Sequence, residues 1–434
     1  MMLNTIRKIA FYAHDALHRG KVRTNINDIT EFYTTVPEFR DKVTAKRITE
    51  LLKHATHSTA FYENYKNNTY IDQYPIMSKK YIQCSEDLFL HSGYVRSSLI
   101  RRQTSGSYGT PMSVYFSKNK FARQIAELIY YNRLAGLDIG DLYLNITTTR
   151  KNRVEKFLKN LMTINPTGMN EQWYDRTMRL LCRYKNTFII GFPSVLYSLA
   201  QYIVKYTTHT NIRLRGIITI AEPLNSKVKE KIEEVFQCAV YNRYATMETG
   251  VIGHSTGADN TIHINQASYI VELLKFDCDE HVAEGEDGRI VVTDLFSYAM
   301  PLIRYETGDT AVLISKNKFG AEIIKNPEGR VVERIYRTDG SKVSWASIYD
   351  VMLDLPNTIQ YQFIQETRKS YTLKIIAMNS FDTKVTVKDK LYNILGSDAD
   401  IEIQFVNEIP PLPSGKRPAI MNKSQNGNDN YVKT

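Results

Sequence analysis

Between Thr187 and Tyr244 two hydrophobic periods alternate, and that alternation limits the available folds more than any other stretch of the chain. Thr187 to Ile190 is a short apolar, β-prone run. After Gly191-Phe192-Pro193, Val195, Leu196, Leu199, Ala200 and Ile203 recur at helical spacing, with Ser194 placed to cap that helix. Arg215 to Ala221 is a second β-rich run, Glu222-Pro223-Leu224-Asn225 turns the chain, and Ser226 is placed to cap a helix. The inner face of that helix is Val228, Ile232, Val235 and Phe236, and a third strand, Ala239 to Tyr244, follows at once. Strand–helix–strand at this spacing predicts a largely parallel or mixed sheet covered by helices, an α/β fold. The longest apolar run, Phe188 to Val204, lies in the same stretch. Gly191, Pro193, Ser194, Ser198 and Gln201 interrupt it, so it reads as core and not as a membrane span.

The flanks read differently. The first hundred residues are mostly helical and polar, with Ile48, Leu51, Leu52 and Ala55 at helical spacing ahead of Phe61-Tyr62, and Pro75 opening a further segment. Gly285-Glu286-Asp287-Gly288 is a turn before a strand at Arg289 to Asp294. Pro327-Glu328-Gly329 marks a domain boundary. Beyond it, Tyr371 to Ala377 alternates as a strand, Val385 to Leu395 is helical and Ile401 to Val406 is a strand. A chain of 434 residues exceeds one ordinary core. The expectation is a large domain over 1–328, of mixed sheets covered by helices, and a small α+β domain over 329–434. The polar end from Asn422 is expected to fray.

The chain carries 56 Lys and Arg against 46 Asp and Glu, a net charge of +10, which favours acidic ligands such as nucleotides, phosphates or anionic lipid. No dense Lys/Arg face is interleaved with aromatics, so a nucleic-acid partner is not expected. The four cysteines lie far apart, which argues for a reducing compartment and against a disulfide frame or structural zinc. Met1 to Gly20 contains Arg7, Lys8, His14, Asp15, His18 and Arg19, leaving no uninterrupted apolar core for an export signal. A cytoplasmic location is expected, with no transmembrane segment and with peripheral membrane association left open.

Chemistry is concentrated in five segments. Thr104-Ser105-Gly106-Ser107-Tyr108-Gly109-Thr110-Pro111, behind Arg101-Arg102, has glycines that let backbone N–H groups approach an anion and hydroxyls that add donors. It lacks the Gly-Lys-Ser/Thr of the common P-loop. Tyr244-Ala245-Thr246-Met247-Glu248 ends a predicted strand with a ring and a carboxylate. Pro301-Leu302-Ile303-Arg304-Tyr305-Glu306-Thr307-Gly308-Asp309 sets an aspartate after a tight glycine turn. Gly329-Arg330 stands at the boundary, and Pro410-Pro411-Leu412-Pro413-Ser414-Gly415-Lys416 places a lysine on a Pro/Gly loop. Taken singly, each is an ordinary turn, core ring or surface charge.

In this order and spacing the segments resemble the adenylate-forming superfamily of acyl- and aryl-CoA ligases. The branch is the phenylacetate–CoA ligase-like one, most closely its CapK-like capsular polysaccharide members. Leu51 to Tyr65, Tyr74 to Lys79, Gly191-Phe192-Pro193-Ser194 and Ala221-Glu222-Pro223-Leu224 extend the resemblance over nearly the whole chain. The resemblance implies ATP-dependent activation of a carboxylic acid as acyl-AMP, then transfer to CoA, a carrier or a glycan-linked acceptor. It implies that Ser105, Gly106, Ser107, Gly109 and Thr110, with Thr104 beside them, hold the phosphates of ATP. Tyr244 would stack on adenine beside Ala245 and Thr246, and Glu248 would bind Mg²⁺ as the one metal ligand. Asp309 would accept the ribose hydroxyls, and Arg330 would reach the ribose or phosphate at a hinge. Lys416, the catalytic lysine of a mobile small domain, would bridge the carboxylate and the α-phosphate. The acid pocket would draw on Trp173, Phe192 and the turn at Ala221–Pro223.

Three positions depart from the family pattern. Ala245 replaces a glycine, Met247 replaces a hydroxyl residue, and Tyr108 replaces a small residue in the phosphate loop. A thioether cannot donate a hydrogen bond, so a phosphate contact is lost unless Thr246 substitutes. Some relatives carry a Cys/His metal cluster after the glutamate; here only His254 and His263 follow, and both read as surface or core histidines. Two other readings stand beside the ligase: a nucleotidyltransferase that leaves AMP on its substrate, and a nucleotide-binding scaffold of a polysaccharide assembly complex with weakened turnover.

Overall fold

The alternation read between Thr187 and Tyr244 is present. Strands Thr187–Gly191, Leu214–Ile220 and Val240–Thr246 are separated by helices Pro193–Tyr206 and Ser226–Phe236, and the first two strands pair in parallel. The computed structural model describes residues 2–104, 112–206, 211–328, 335–343, 345–353, 358–377, 384–410 and 418–424. Its contacts group the chain into one unit of residues 1–144, 151–162 and 241–327 and another of 145–150, 163–240 and 328–434.

In the second unit, Val195, Leu196, Leu199, Ala200 and Ile203 are all buried, as the helical stripe predicts, and so are Val228, Ile232 and Phe236, with Val235 half-buried. The caps differ from expectation. Pro193 takes the first helical position, where its missing N–H leaves nothing unpaired, so Ser194 lies inside the helix. The Ser194 N–H donates to Glu222 Oε2 at 3.1 Å, a carboxylate from another segment serving the helix start. Asn225, not Ser226, caps the next helix, its Oδ1 accepting from the Lys227 N–H at 2.8 Å. The chain beyond 335 adds strands in the order Asp400–Phe405, Ser370–Ala377, Thr358–Gln365, Ile420–Asn422. Helices Trp345–Leu353 and Lys384–Leu395 accompany them, and Ile348, Phe363, Leu373, Leu391 and Leu395 form their shared core.

The first unit opens with helices Met2–Leu17, Lys21–Thr34 and Pro37–Ser58. Its main strands lie side by side in the order Tyr269–Leu274, Asp287–Asp294, Tyr305–Asn317, Gly320–Glu328, Thr261–Ile264, Gly250–His254, Val240–Thr246. The segment at 74–79 is tied to the middle of this array. The Met77 N–H donates to Arg304 O at 2.8 Å, and the Glu306 N–H donates to Met77 O at 2.9 Å. Arg304 is a non-glycine residue at φ +50°. Its guanidinium meets Glu272 with both arms at 3.1 and 3.0 Å and donates to Tyr74 O at 3.0 Å, a set of bonds that offsets the backbone strain.

Candidate functional site

Strand Tyr305–Asn317 carries two residues of the candidate site, Tyr305 and Asp309, and is bulged at the second. Thr310 faces Arg289 and Glu306 faces Val291, so Thr307, Gly308 and Asp309 together oppose the single residue Ile290. Gly308 accommodates the bulge at φ +82°, a conformation that favours glycine. Asp309 therefore sits in a bulge within a strand, where the sequence suggested a tight turn between elements. Thr307 pins the bulge, its Oγ1 donating to Ile290 O and accepting from the Asp309 N–H, both at 3.1 Å.

The bulge brings Asp309 to Tyr244, whose hydroxyl donates to Asp309 Oδ2 at 2.8 Å. Burial, and next the Asp309 charge, hold the Tyr244 hydroxyl well above the usual phenol range, so it stays a donor. Its ring is half-buried. Tyr305, four residues before Asp309, donates from its hydroxyl to Glu248 Oε1 at 3.1 Å, and Glu248 is buried. One strand thus holds Asp309 for Tyr244 and Tyr305 for Glu248. Of the predicted site residues, the structure brings together Tyr244, Asp309 and Glu248 in this way.

Thr246 and Met247 occupy the turn between Tyr244 and Glu248. The Thr246 hydroxyl oxygen lies 2.9 Å from Thr249 Oγ1 and accepts the Thr249 N–H at 3.2 Å, so it closes the turn. Ala245 and Met247 are exposed. Thr104 clasps the base of its loop: its N–H donates to Met112 O, and its Oγ1 accepts the Met112 N–H, both at 2.9 Å. Below that clasp, strands Ile100–Gln103 and Ser113–Phe116 pair antiparallel. Ser105, Gly106, Ser107, Gly109 and Thr110, with Tyr108, lie outside the described residues, as do Arg330 and Lys416. His254 is buried beside the Tyr131 ring, with Nδ1 2.8 Å from Ser255 O, whereas His263 is exposed.

Sequence reasoning missed the layer on which the turn rests. Helix Lys118–Leu134 sends Lys120, Arg123, Gln124 and Glu127 inward. Gln124 Nε2 and the Tyr269 hydroxyl both reach Thr249 O at 2.8 Å. The Tyr269 hydroxyl is also 3.0 Å from Glu127 Oε2 and 3.2 Å from Lys120 Nζ, and Lys120 pairs with Asp294 at 2.6 Å. Burial pushes Glu127 up from the ordinary carboxylate value, with Lys120 and Arg123 working against it. Gly250 completes the fit. At φ +125°, a Cβ there would stand 2.8 Å from both Glu127 Oε2 and the Tyr269 hydroxyl. The available signal was the spacing of 120, 123, 124 and 127, a single helix face, but polar faces of that kind usually meet solvent.

Residues 335–423 match the CapK C-terminal domain model. Protein CapK of Staphylococcus aureus is 23% identical over 92% of this chain and 94% of its own length. The chain is a homologue of Protein CapK. This CapK homologue is also 26% identical to the phenylacetate–coenzyme A ligase of Thermus thermophilus, over 55% of the chain and 53% of that ligase. Its fold is that of the adenylate-forming CoA ligases. The solved 2-hydroxyisobutyryl-CoA ligase, in the postadenylation state with R3-HIB-AMP, superposes with a TM-score of 0.71 at 17% identity, covering 90% of this chain and 91% of that one. The expected fold class is borne out. Among the described residues no helix is long and apolar enough to cross a membrane.

Proposed function

We propose that this CapK homologue activates a carboxylic acid with ATP as an acyl-adenylate and passes the acyl group to CoA or another acceptor. The observation that carries the reading is the convergence of Tyr244, Asp309 and Glu248 through two tyrosine hydroxyls. A half-buried ring held by its hydroxyl offers a face for adenine, and the carboxylate that holds it can accept ribose hydroxyls. Its neighbours by sequence and by fold include ligases that make CoA thioesters, one of them solved with an acyl-AMP.

Glu248 is a single buried carboxylate with one oxygen already accepting from Tyr305, and no group of three ligating side chains occurs among the described residues. That donor set fits Mg²⁺ shared with nucleotide phosphates and does not fit a closed protein metal cage. Mg²⁺ bound there would offset phosphate charge. Tyr305 keeps the Glu248 carboxylate oriented, and Thr246 fixes the turn between Glu248 and Tyr244.

The loop at 105–110 would cradle the departing pyrophosphate, and Thr104 closes that loop at its base. Arg330 and Lys416 would act from a small domain over 329–434, with Lys416 bridging carboxylate and α-phosphate. Attack of one anion on another is limited by repulsion, and a positioned cation lowers that barrier without a protein nucleophile. The resemblance to the CapK-like capsular polysaccharide members supports a role in surface polysaccharide assembly.

The test is ATP–pyrophosphate exchange across a panel of carboxylic acids, with Lys416→Ala and Asp309→Ala as controls. Acid-dependent exchange that both variants abolish is expected. Tight ATP binding with no exchange, unaffected by Lys416→Ala, would assign the chain to a scaffold role. An AMP-modified product stable to added CoA would assign it to the nucleotidyltransferases.

A further inference from the structure

Helix Met2–Leu17 carries hydrocarbon on the side away from the protein. Leu3, Ile6, Ala10, Ala13 and Leu17 recur at intervals of three and four, which places them on one face, and all five are exposed. Leu17 retains 83% of its surface, and Ile9, beside the stripe, retains 63%. The opposite side is held by Phe11, which packs against the core shared by helices Lys21–Thr34 and Lys118–Leu134, and by polar contacts. Asn4 Nδ2 donates to Asp141 Oδ1 at 3.3 Å, Lys8 Nζ meets Asp138 Oδ2 at 2.5 Å, and the Asp15 carboxylate accepts the N–H groups of Val22 and Arg23 at 2.9 Å. A surface helix ordinarily does the reverse, turning its apolar stripe inward.

The short helix Arg153–Leu158 continues this face, exposing Val154, Phe157 and Leu158. Arg7 joins the two, its Nε donating to Phe157 O at 3.1 Å and its guanidinium standing 5.3 Å from the Phe157 ring centre. The charge around them is one-sided. Residues 1–23 and 151–160 together hold nine Lys and Arg against two acids, a net +7, while Asp138, outside these stretches, pairs with Lys8 and Arg133. Within these stretches Asp15 is buried and Glu155 lies between Lys151 and Lys159, and Asp141 accepts from Asn4 on the side facing the protein.

We propose that this face docks peripherally on an anionic lipid bilayer. Leu3, Ile6, Leu17 and Phe157 would enter the head-group boundary, while Arg153, Lys156 and their neighbours meet lipid phosphates. Exposed hydrocarbon within a basic rim is the composition such a surface binds. A second copy of the chain would bring two basic rims together, and like charges oppose that pairing. A nucleic acid would meet the charge and leave the leucine, isoleucine and phenylalanine side chains uncovered.

Sedimentation of the full chain with vesicles tests the proposal. Binding is expected to vesicles of equal phosphatidylglycerol and phosphatidylcholine and not to phosphatidylcholine alone. Arg153→Glu with Lys156→Glu should weaken it at least about tenfold, since each lost cation near the surface changes binding by about fivefold. Ile6→Asp with Phe157→Asp should release the protein from vesicles while circular dichroism and the unfolding midpoint stay those of the wild type. Independently of any variant, salt raised from about 0.1 M to about 1 M shortens the screening length from about 10 Å to 3 Å and should detach the wild type. Equal binding to both vesicles, binding to neither, or variants that bind like the wild type would overturn the proposal. A wild-type dimer dispersed by Ile6→Asp would do the same, by giving the face to a second copy.

Discussion

Behind the turn at 246–250, Lys120, Arg123, Glu127, Tyr269 and Asp294 each expose 1% of their surface or less, whereas on helix Met2–Leu17 hydrocarbon faces solvent. Both regions invert the usual partition of polar and apolar side chains, and they differ in what satisfies them. Lys120 pairs with Asp294 at 2.6 Å and Arg123 with Glu127 at 3.8 Å. The Tyr269 hydroxyl links Lys120 to Glu127 at 3.2 and 3.0 Å, so each depends on the rest being present. The exposed leucine and isoleucine side chains have nothing comparable to lose. The first region therefore ties stability to the geometry of the candidate site, and the second can be altered without touching the fold.

The sharpest way to break that contrast is Lys120→Met, which leaves Asp294 buried without its cation. A loss of about 3–5 kcal/mol in urea unfolding is expected, largely recovered when Asp294→Leu is added. A loss no larger than that of an ordinary surface substitution would remove the buried layer from the account.

Acid should expose the same side of the comparison through His254. Burial, and next the Arg243 charge, push its imidazole from 6.5 down to about 3. A depressed folded value means that the neutral ring stabilises the fold above pH 6.5, and that this contribution fades as pH falls toward 3. By pH 4 the deficit should reach about 3 kcal/mol. His254→Phe should flatten the acid limb of the unfolding midpoint plotted against pH.

Gly250→Ala follows, at about 1–3 kcal/mol, because it adds a Cβ 2.8 Å from Glu127 and Tyr269 at φ +125°. It should also weaken ATP, since the displaced turn carries Glu248. The smallest effect belongs to the other region. Ile6→Gln and Phe157→Gln should change unfolding free energy by no more than about 0.5 kcal/mol.

Much of the fold was legible because burial writes itself into periodicity. The stripe Val195, Leu196, Leu199, Ala200, Ile203 needs only local spacing, and so do the strands on either side of it. Caps were less legible, since Glu222 reaches the start of the 193–206 helix from another segment and no local pattern encodes that reach. The same limit applies at the site. Asp309, Tyr244 and Glu248 stood out as residue types in order, but the bulge opposite Ile290 and the Tyr305 bond to Glu248 are products of strand register. The inward face of helix Lys118–Leu134 was illegible for a different reason: buried and solvated polar faces share one spacing.

Nucleotide binding by Tyr244, Asp309 and Glu248 can be tested without knowing the acid. Titration calorimetry of ATP into the wild type and into Asp309→Ala is the direct measurement. The wild type should bind saturably and the variant at least about tenfold more weakly, as expected when a charged acceptor worth about 1.5–3 kcal/mol is removed. Equal affinity in the two proteins would mean that Asp309 takes no part in holding the nucleotide.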